Sequence, residues 1–206
     1  MEALILVDIQ RDFLPGGALA VADGDAVVPI ANQLQLHFDL VLATQDFHPA
    51  NHLSFAANHL GREPGEMIQL QGLDQVLWPV HCVQDSPGAE FADGLQMDKV
   101  AKVFTKGTDP EIDSYSGFFD NGHLKATGLG DYLKEKGVQK VVVMGLAADY
   151  CVKFTALDAQ QLGFETTVVR DGTRAVNLQP DDFEKAIQEM KANDIQVISS
   201  EDLLNN

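Results

Sequence analysis

The sequence lacks the features of a disulfide-bonded secreted protein or of a membrane protein. Only two of its 206 residues are cysteines, Cys82 and Cys151, which is too few for a disulfide framework and usual in a reducing compartment. The first apolar run stops at Asp8, far short of the roughly 18 residues that a membrane span needs, and no basic segment precedes it. We therefore expect a cytoplasmic protein whose thiols are free for chemistry.

Positive charge is scarce as well. The chain has 14 lysines and arginines against 31 aspartates and glutamates, a net charge of -17. A field of this sign repels phosphate backbones and anionic lipid surfaces, so we expect neither a nucleic acid nor a membrane as a partner. An acidic surface also serves solubility, so the charge does not identify a substrate. The sequence has no repeat, low-complexity tract or flexible linker, which favours one domain over residues 1–206.

Short apolar runs alternate with longer amphipathic stretches along the chain. The runs have the length of buried strands and fall at 4–7, 40–43, 100–104, 141–144, 166–169 and 195–198. The amphipathic stretches have a helical period and fall at 25–37, 129–136, 149–162 and 180–193. This alternation predicts an open, parallel α/β sheet covered by helices. The irregular regions 47–98 and 107–122 are predicted to be loops that build a site.

Reactive side chains follow four consecutive strands of this predicted sheet. Asp8 follows the first strand, Asp46 and His48 follow the second, Lys106 ends the third, and Cys151 follows the fourth. The carboxyl ends of parallel strands meet at one edge of an open sheet, where ligands bind. A single aspartate after a strand is often a turn residue, and a single lysine before a glycine is often exposed. The prediction of an active site therefore depends on all of these residues together.

Cys151 is the candidate nucleophile. It stands near the start of the predicted helix 149–162, where unpaired N–H groups and the helix dipole favour a thiolate. Most buried cysteines are inert packing residues, but here Asp8 is placed to take the thiol proton and Lys106 to stabilise the anion. A nucleophile, a base and an orienting charge are the parts of a catalytic triad.

A second group of residues has the composition of a metal site. Asp46, His48 and His52 lie close together in the sequence, and His81 follows in the stretch Trp-Pro-Val-His-Cys. A carboxylate with imidazoles is a ligand set for zinc, iron or manganese. A soft ligand is the alternative for Cys82, which is interpreted as a packed neighbour of His81. Histidine-proline turns are common, so the spacing alone is only moderately specific for a metal site.

Three aromatic residues lie next to the segments that carry these groups: Phe13, Trp78 and Tyr115. A flat aromatic ring would stack well against them. The alternative is that they are ordinary core residues.

Several motifs together resemble the nicotinamidase and pyrazinamidase group of the isochorismatase-like cysteine hydrolase superfamily. They are VDIQRDFLPGGALAV at 7–21, TQDFHPANHLSF at 44–55, LWPVHC at 77–82, FTKG at 104–107, DSYSGFFDN at 113–121 and GLAADYCV at 145–152. The resemblance implies a three-layer α/β/α fold with a six-stranded parallel sheet. It also implies hydrolysis of nicotinamide, and of pyrazinamide, to the acid and ammonia in NAD salvage. Oligomeric state stays open between a monomer and a homo-oligomer.

The resemblance also assigns roles to the candidate residues. Cys151 matches the nucleophile, Asp8 the proton acceptor and Lys106 the third member of the triad. The resemblance further implies a cis peptide just before Ala147, which would aim the N–H groups of Ala147 and Cys151 into an oxyanion hole. Phe13, Trp78 and Tyr115 match residues that hold the substrate ring.

One divalent metal ion is implied too, zinc in the first place, with iron or manganese as alternatives. Asp46, His48 and His81 match its ligands, whereas His52 matches a position that is a ligand in only some relatives.

Three other functions compete with this interpretation. A related amidase could act on a carbamoyl or ureido substrate, but such relatives generally lack the Asp-x-His metal motif. A binding protein could keep the pocket without turnover, and would bind nicotinamide without releasing ammonia. A phosphotransfer motif would require Asp8-x-Asp, and residue 10 is Gln. Isochorismatases themselves lack the nucleophilic cysteine, so Cys151 argues against that activity.

Overall fold

The computed structural model describes residues 1–205 of the chain. Eight strands occur among them: β1 (Glu2–Val7), β2 (Leu40–Asp46), β3 (Met67–Leu70), β4 (Leu73–Val76), β5 (Val100–Lys106), β6 (Lys140–Leu146), β7 (Glu165–Arg174) and β8 (Gln196–Ile198). Six of them form one parallel sheet in the order β5-β2-β1-β6-β7-β8. Each of these six overlaps a predicted apolar run, so the predicted parallel sheet is confirmed.

Helices cover both faces of this sheet. They are α1 (Val27–Leu34), α2 (Leu129–Glu135), α3 (Lys153–Gln161), α4 (Asp182–Ala192) and α5 (Ser200–Leu204). The side chains of Leu4 and Leu6 face a core shared with α1 and α5, whereas Ala3 and Ile5 face a core shared with α2, α3 and α4. Strands buried on both faces need apolar residues at every position, which explains the unbroken apolar runs. The predicted three-layer α/β/α fold is confirmed. Among residues 1–205, no helix combines the length and apolarity that crossing a bilayer requires.

The strand order places the candidate site. From β1 the chain moves outward through β2 to β5, then returns to pair β6 with the other side of β1 and continues to β8. The direction of winding therefore changes between β1 and β6, and the crevice beyond their carboxyl ends is where open α/β sheets bind ligands. Asp8 follows β1 and Cys151 follows β6, so both lie at this switch point.

The structure differs from the sequence prediction in three places. The region 47–98, predicted as loop, contains the antiparallel hairpin of β3 and β4. Its two turn residues, Gln71 and Gly72, both have positive φ, the backbone of a tight type I′ hairpin turn. The helix predicted from residue 149 begins at Lys153, because Ala148–Val152 forms a π-helical turn. The short helix α5 was not predicted.

Candidate active site

Asp8, Lys106 and Cys151 meet in one buried cluster. The Lys106 Nζ lies 2.9 Å from an Asp8 carboxylate oxygen and 3.3 Å from the Cys151 Sγ. Asp8 directly follows β1, Lys106 ends β5, and Cys151 lies in the π-helical turn after β6. The structure therefore brings together three residues that the sequence placed at the same sheet edge.

Neighbouring groups fix the orientation of this cluster. The hydroxyl of Thr44 on β2 donates to Asp8 Oδ1 at 2.6 Å, and Lys106 Nζ donates to the Ser114 carbonyl at 2.9 Å. Lys106 also donates to Asp46 Oδ1 at 2.6 Å. The predicted triad and the predicted metal site are thus not separate, because one lysine contacts a carboxylate of each.

Burial controls the protonation of the triad. The pKa of Asp8 is raised by burial, which outweighs the opposing charge of Lys106. Burial also raises the pKa of the Cys151 thiol well above its ordinary value, again against the pull of Lys106. Burial therefore opposes the thiolate that the position near a helix start was expected to favour. A raised pKa favours the thiol form, so Cys151 must pass its proton to a neighbour before it can attack.

Lys106 and Asp46 form a buried ion pair. Burial lowers the pKa of Lys106, but the charges of Asp46 and Asp8 outweigh it and raise that pKa well above its ordinary value. Burial raises the pKa of Asp46, but Lys106 and His48 outweigh it and bring that pKa far below the ordinary range. Both side chains are consequently charged at neutral pH.

Three of the predicted metal ligands form a compact set. Ligand atoms of Asp46, His48 and His81 all lie within 4.8 Å of one another, and all three residues are buried. His81 Nδ1 lies 2.8 Å from the Pro79 carbonyl, so this nitrogen carries the proton and Nε2 presents its lone pair. The His81 Nε2 atom lies 3.7 Å from Asp46 Oδ2. The donor set and its hydrogen bonding fit a divalent ion of the zinc type.

Gly107 makes room for this set. Its φ is +66°, and a Cβ at this position would lie 2.7 Å from His48 Nε2. The Lys106-Gly107 pair is therefore not an exposed surface turn. Lys106 belongs to the predicted triad, and Gly107 packs against the candidate metal ligand His48.

His52 and Asp113 lie on the other side of His48. Ligand atoms of His48, His52 and Asp113 form a second set within 4.8 Å. Burial lowers the pKa of His52 to about 4. Burial raises the pKa of Asp113, but the hydrogen bond and charge of His48 outweigh it and bring it to about 2. The sequence analysis did not single out Asp113, because nothing local links it to a histidine 65 positions earlier.

An aromatic cavity opens onto the Cys151 thiol. The predicted Phe13, Trp78 and Tyr115 all line it, with Asp46, His81 and Ala147. The tyrosine ring that follows Asp149 was missed: Tyr150 packs edge-on against Trp78, with ring centroids 4.8 Å apart. Three further lining residues were also missed: Leu19, Asp113 and Val176. The adjacency of Tyr150 to Cys151 is the one signal in the sequence that could have indicated it.

The turn that carries Cys151 is fastened to the end of β7. The peptide bond between Leu146 and Ala147 is cis, as the resemblance implies. The two carboxylate oxygens of Asp149 accept the backbone N–H groups of Val176 and Asn177, each at 2.9 Å. This arrangement holds a thiol, a carboxylate with a raised pKa and a lysine at the end of an apolar cavity, which suits nucleophilic attack on a carbonyl carbon.

Comparison with known proteins agrees with this chemistry. A protein of Escherichia coli (strain K12) named nicotinamidase is 53% identical over 195 residues, 93% of this chain and 91% of that protein. A solved structure described as a nicotinamidase and pyrazinamidase of Acinetobacter baumanii superposes with a TM-score of 0.96 at 46% identity, covering 98% of this chain and 97% of that one. A solved structure of the pyrazinamidase of Pyrococcus horikoshii in complex with zinc superposes with a TM-score of 0.78 at 40% identity, covering 96% of this chain and 98% of that one.

The isochorismatase domain family matches residues 2–202, nearly the whole chain and every residue of the candidate site. The chain therefore belongs to the isochorismatase family.

Proposed function

We propose that this protein is an amidohydrolase that converts nicotinamide, and its analogue pyrazinamide, to the carboxylic acid and ammonia through a cysteine thioester. The observation that carries the proposal is the Cys151 thiol at the end of an aromatic cavity, with Lys106 at 3.3 Å and Asp8 in the same buried cluster. The name nicotinamidase for the E. coli relative at 53% identity supports the choice of substrate.

In the first half of the reaction Asp8 takes the Cys151 proton, and Sγ attacks the carboxamide carbon. The carbonyl oxygen becomes an oxyanion that the backbone N–H groups of Ala147 and Cys151 stabilise, at about 3 kcal/mol per donor in comparable sites. Asp8 then gives its proton to the departing nitrogen, and ammonia leaves as the thioester forms. The raised pKa of Asp8 suits both transfers. A group that acts first as a base and then as an acid works best when its pKa lies near the operating pH.

In the second half Asp8 deprotonates a water molecule, which attacks the thioester carbon. The C–S bond breaks, the acid is released, and the sulfur recovers the proton from Asp8. Lys106 stays charged throughout, and its ammonium group stabilises the negative charge on Asp8 and on the sulfur.

The substrate ring would lie between Phe13, Trp78 and Tyr115, whose rings line the cavity. One divalent ion, zinc in the first place, would be held by Asp46, His48 and His81. When bound, it would supply a Lewis acid for the ring nitrogen, which fixes the carboxamide near Cys151. The zinc complex of the Pyrococcus pyrazinamidase supports this metal.

The proposal includes a place in NAD salvage in the cytoplasm, where nicotinamide is released from pyridine nucleotides. Both cysteines are unpaired and buried, which is usual in a reducing compartment.

Ammonia release from nicotinamide tests the proposal directly. The Cys151→Ala variant should lose at least ~10³-fold in kcat, since no other group can form the thioester. Cys82→Ala is the matched control, because Cys82 is buried and its thiol makes only a long contact of 3.9 Å with the Gly88 carbonyl. The control should keep near-normal kcat.

Normal ammonia release by Cys151→Ala would exclude the covalent mechanism. Tight binding of nicotinamide by the unaltered protein without any ammonia release would favour a binding protein instead. Turnover of a carbamoyl or ureido compound in preference to nicotinamide would favour the related amidase.

A further inference from the structure

Asp113 is a buried carboxylate whose two oxygens point to different parts of the site. Oδ1 accepts the Ser114 N–H at 2.8 Å and lies 3.2 Å from His48 Nε2. Oδ2 accepts from the Gln75 side chain at 3.1 Å. None of the proposed steps uses this group, although burying a charged carboxylate is costly even when it is hydrogen-bonded.

The contact between His48 and Asp113 must change when an ion binds to His48. His48 Nε2 lies 3.2 Å from Asp113 Oδ1 and 4.0 Å from Asp46 Oδ1, so one nitrogen faces both carboxylates. A nitrogen that binds a metal ion carries no proton. Asp113 therefore loses this donor when His48 binds an ion through Nε2; the donors from Ser114 and Gln75 remain, and a replacement for His48 would complete the set.

His52 is placed to be that donor. Its Nδ1 accepts the backbone N–H of Ser54 at 3.1 Å, and a backbone N–H can only donate, so Nδ1 presents a lone pair and the ring proton sits on Nε2. The Nε2 atom makes no hydrogen bond to a described residue. A ring nitrogen of His52 lies within 4.8 Å of an Asp113 carboxylate oxygen. A protonated Nε2 donates hydrogen bonds and cannot bind a cation.

We propose that Asp113 is a positioning residue of the metal centre, an outer carboxylate that raises its affinity for a divalent cation, and that His52 is a hydrogen-bond donor on that side rather than a ligand. The inference rests on the metal centre of the proposed function. Asp113 adds a second buried negative charge 3.2 Å from the ligand His48, and the Nε2–H of His52 is the hydrogen-bond donor that it would gain when the ion binds. Partners of this outer kind commonly change metal affinity by 10- to 100-fold.

Zinc affinity of the metal-free full chain, measured by competition with a chromophoric chelator, tests both statements. Asp113→Asn should bind Zn²⁺ roughly 10- to 100-fold more weakly than the unaltered chain. Asp120→Asn is the matched control, because Asp120 is equally buried but its oxygens accept the N–H groups of Gly122, Leu124 and Lys125. This control should bind zinc with unchanged affinity.

His52→Gln separates a donor from a ligand, since its amide N–H can donate but does not bind zinc. It should lose less than about 3-fold in affinity, against a loss of at least ~100-fold for Asp46→Asn. The visible spectrum of the Co²⁺ form gives a second readout: Asp113→Asn should keep its bands, because the ligand set is unchanged, whereas Asp46→Asn should shift them.

Zinc affinity of Asp113→Asn within 3-fold of the unaltered chain would overturn the role of Asp113, and a shift of its Co²⁺ bands would make it a direct ligand instead. A loss in His52→Gln as large as in Asp46→Asn would make His52 a ligand. If Asp113→Asn does not fold, Asp113→Ser removes the charge with a smaller side chain and is subject to the same limits. No stoichiometric zinc binding by the unaltered chain would overturn the metal centre itself, a result distinct from these.

Discussion

Asp8 is subject to two opposing influences on its pKa. Burial disfavours the carboxylate, while Lys106 and the hydroxyl of Thr44 favour it, and burial has the larger effect. The proposed reaction needs Asp8 as a carboxylate at its start. Since the pKa is raised, kcat/KM should increase with pH through a value above the ordinary 3.8 of an aspartate. Below that pH, Asp8 holds its own proton and cannot accept that of Cys151.

The rise of kcat/KM with pH forms the acidic limb of the pH profile, and Thr44→Val should shift this limb to higher pH. The change keeps the side-chain shape but removes the 2.6 Å hydrogen bond to Asp8 Oδ1. Losing a donor to the charged form raises the pKa further, and a net hydrogen bond of about 1 kcal/mol corresponds to roughly 0.7 pH unit. The pH dependence of kcat/KM for nicotinamide hydrolysis measures the shift.

Thr166→Val is the control for this change. Thr166 is also buried, and its hydroxyl donates to the Phe164 carbonyl at 3.0 Å, away from the site. It should lose a similar amount of stability with an unaltered pH profile. An acidic limb that stays in place, or moves down, in Thr44→Val would remove Asp8 from the role of base.

At the scale of elements, the π-helical turn Ala148–Val152 determines where Cys151 points. The turn follows β6 and is held by Asp149, which accepts two N–H groups from the chain beyond β7. Val176, one of the two donors, lines the cavity. A single buried carboxylate thus fastens the turn that carries Cys151 to a residue that lines the cavity.

Asp149→Asn should weaken this connection. The amide keeps one acceptor, and its NH₂ group faces an N–H donor, so one buried group is left unpaired at about 1–3 kcal/mol. For a chain of this length each kcal/mol corresponds to roughly 2–4 °C in Tm. Displacement of the thiol should lower kcat/KM about 10- to 100-fold. Calorimetry and the ammonia assay measure the two effects.

The same substitution at Asp181 is the control, because Asp181 is exposed and pairs only with Lys185 on the surface. Such pairs contribute little, so Asp181→Asn should change neither Tm nor kcat/KM measurably. Unchanged kcat/KM in Asp149→Asn would show that the turn keeps its position without this carboxylate.

At the scale of the whole molecule, negative charge dominates both the surface and the site. The net charge is -17, and the site holds Asp8, Asp46 and Asp113 in burial with Lys106 as the one lysine among them. A divalent cation would relieve the repulsion among these carboxylates only in the folded state, because the unfolded chain separates them. Cation binding and folding should therefore be linked.

Metal removal should lower stability and weaken substrate binding. At a free zinc concentration about 100 times Kd, binding contributes about 2.7 kcal/mol, or roughly 5–10 °C in Tm for this length. Chelation should therefore lower Tm by about this amount and raise KM for nicotinamide. Calorimetry with and without zinc, and initial rates on the metal-free protein, give both values. A metal-free protein with unchanged KM would refute the role of the ion in holding the substrate ring.

The sequence by itself determined the sheet and the main reactive groups, because these depend on local patterns. Unbroken apolar runs predict strands buried on both faces, and all six lie in the parallel sheet. Since parallel strands end at one edge, the residues after them had to converge, and Asp8, Lys106 and Cys151 do.

Only the tertiary structure decided how these groups act on one another. The raised pKa of Asp8 depends on burial exceeding the charge of Lys106, a balance that no local pattern encodes. The contact of Asp113 with His48 joins positions 65 apart, and Lys106 joins the triad to Asp46 across two strands. The hairpin of β3 and β4 brings Gln75 to Asp113 and to the Tyr115 hydroxyl. Residues this far apart in the sequence come into contact only when the chain packs. Their effects on one another depend on distance in space and on burial, and neither can be read from the sequence.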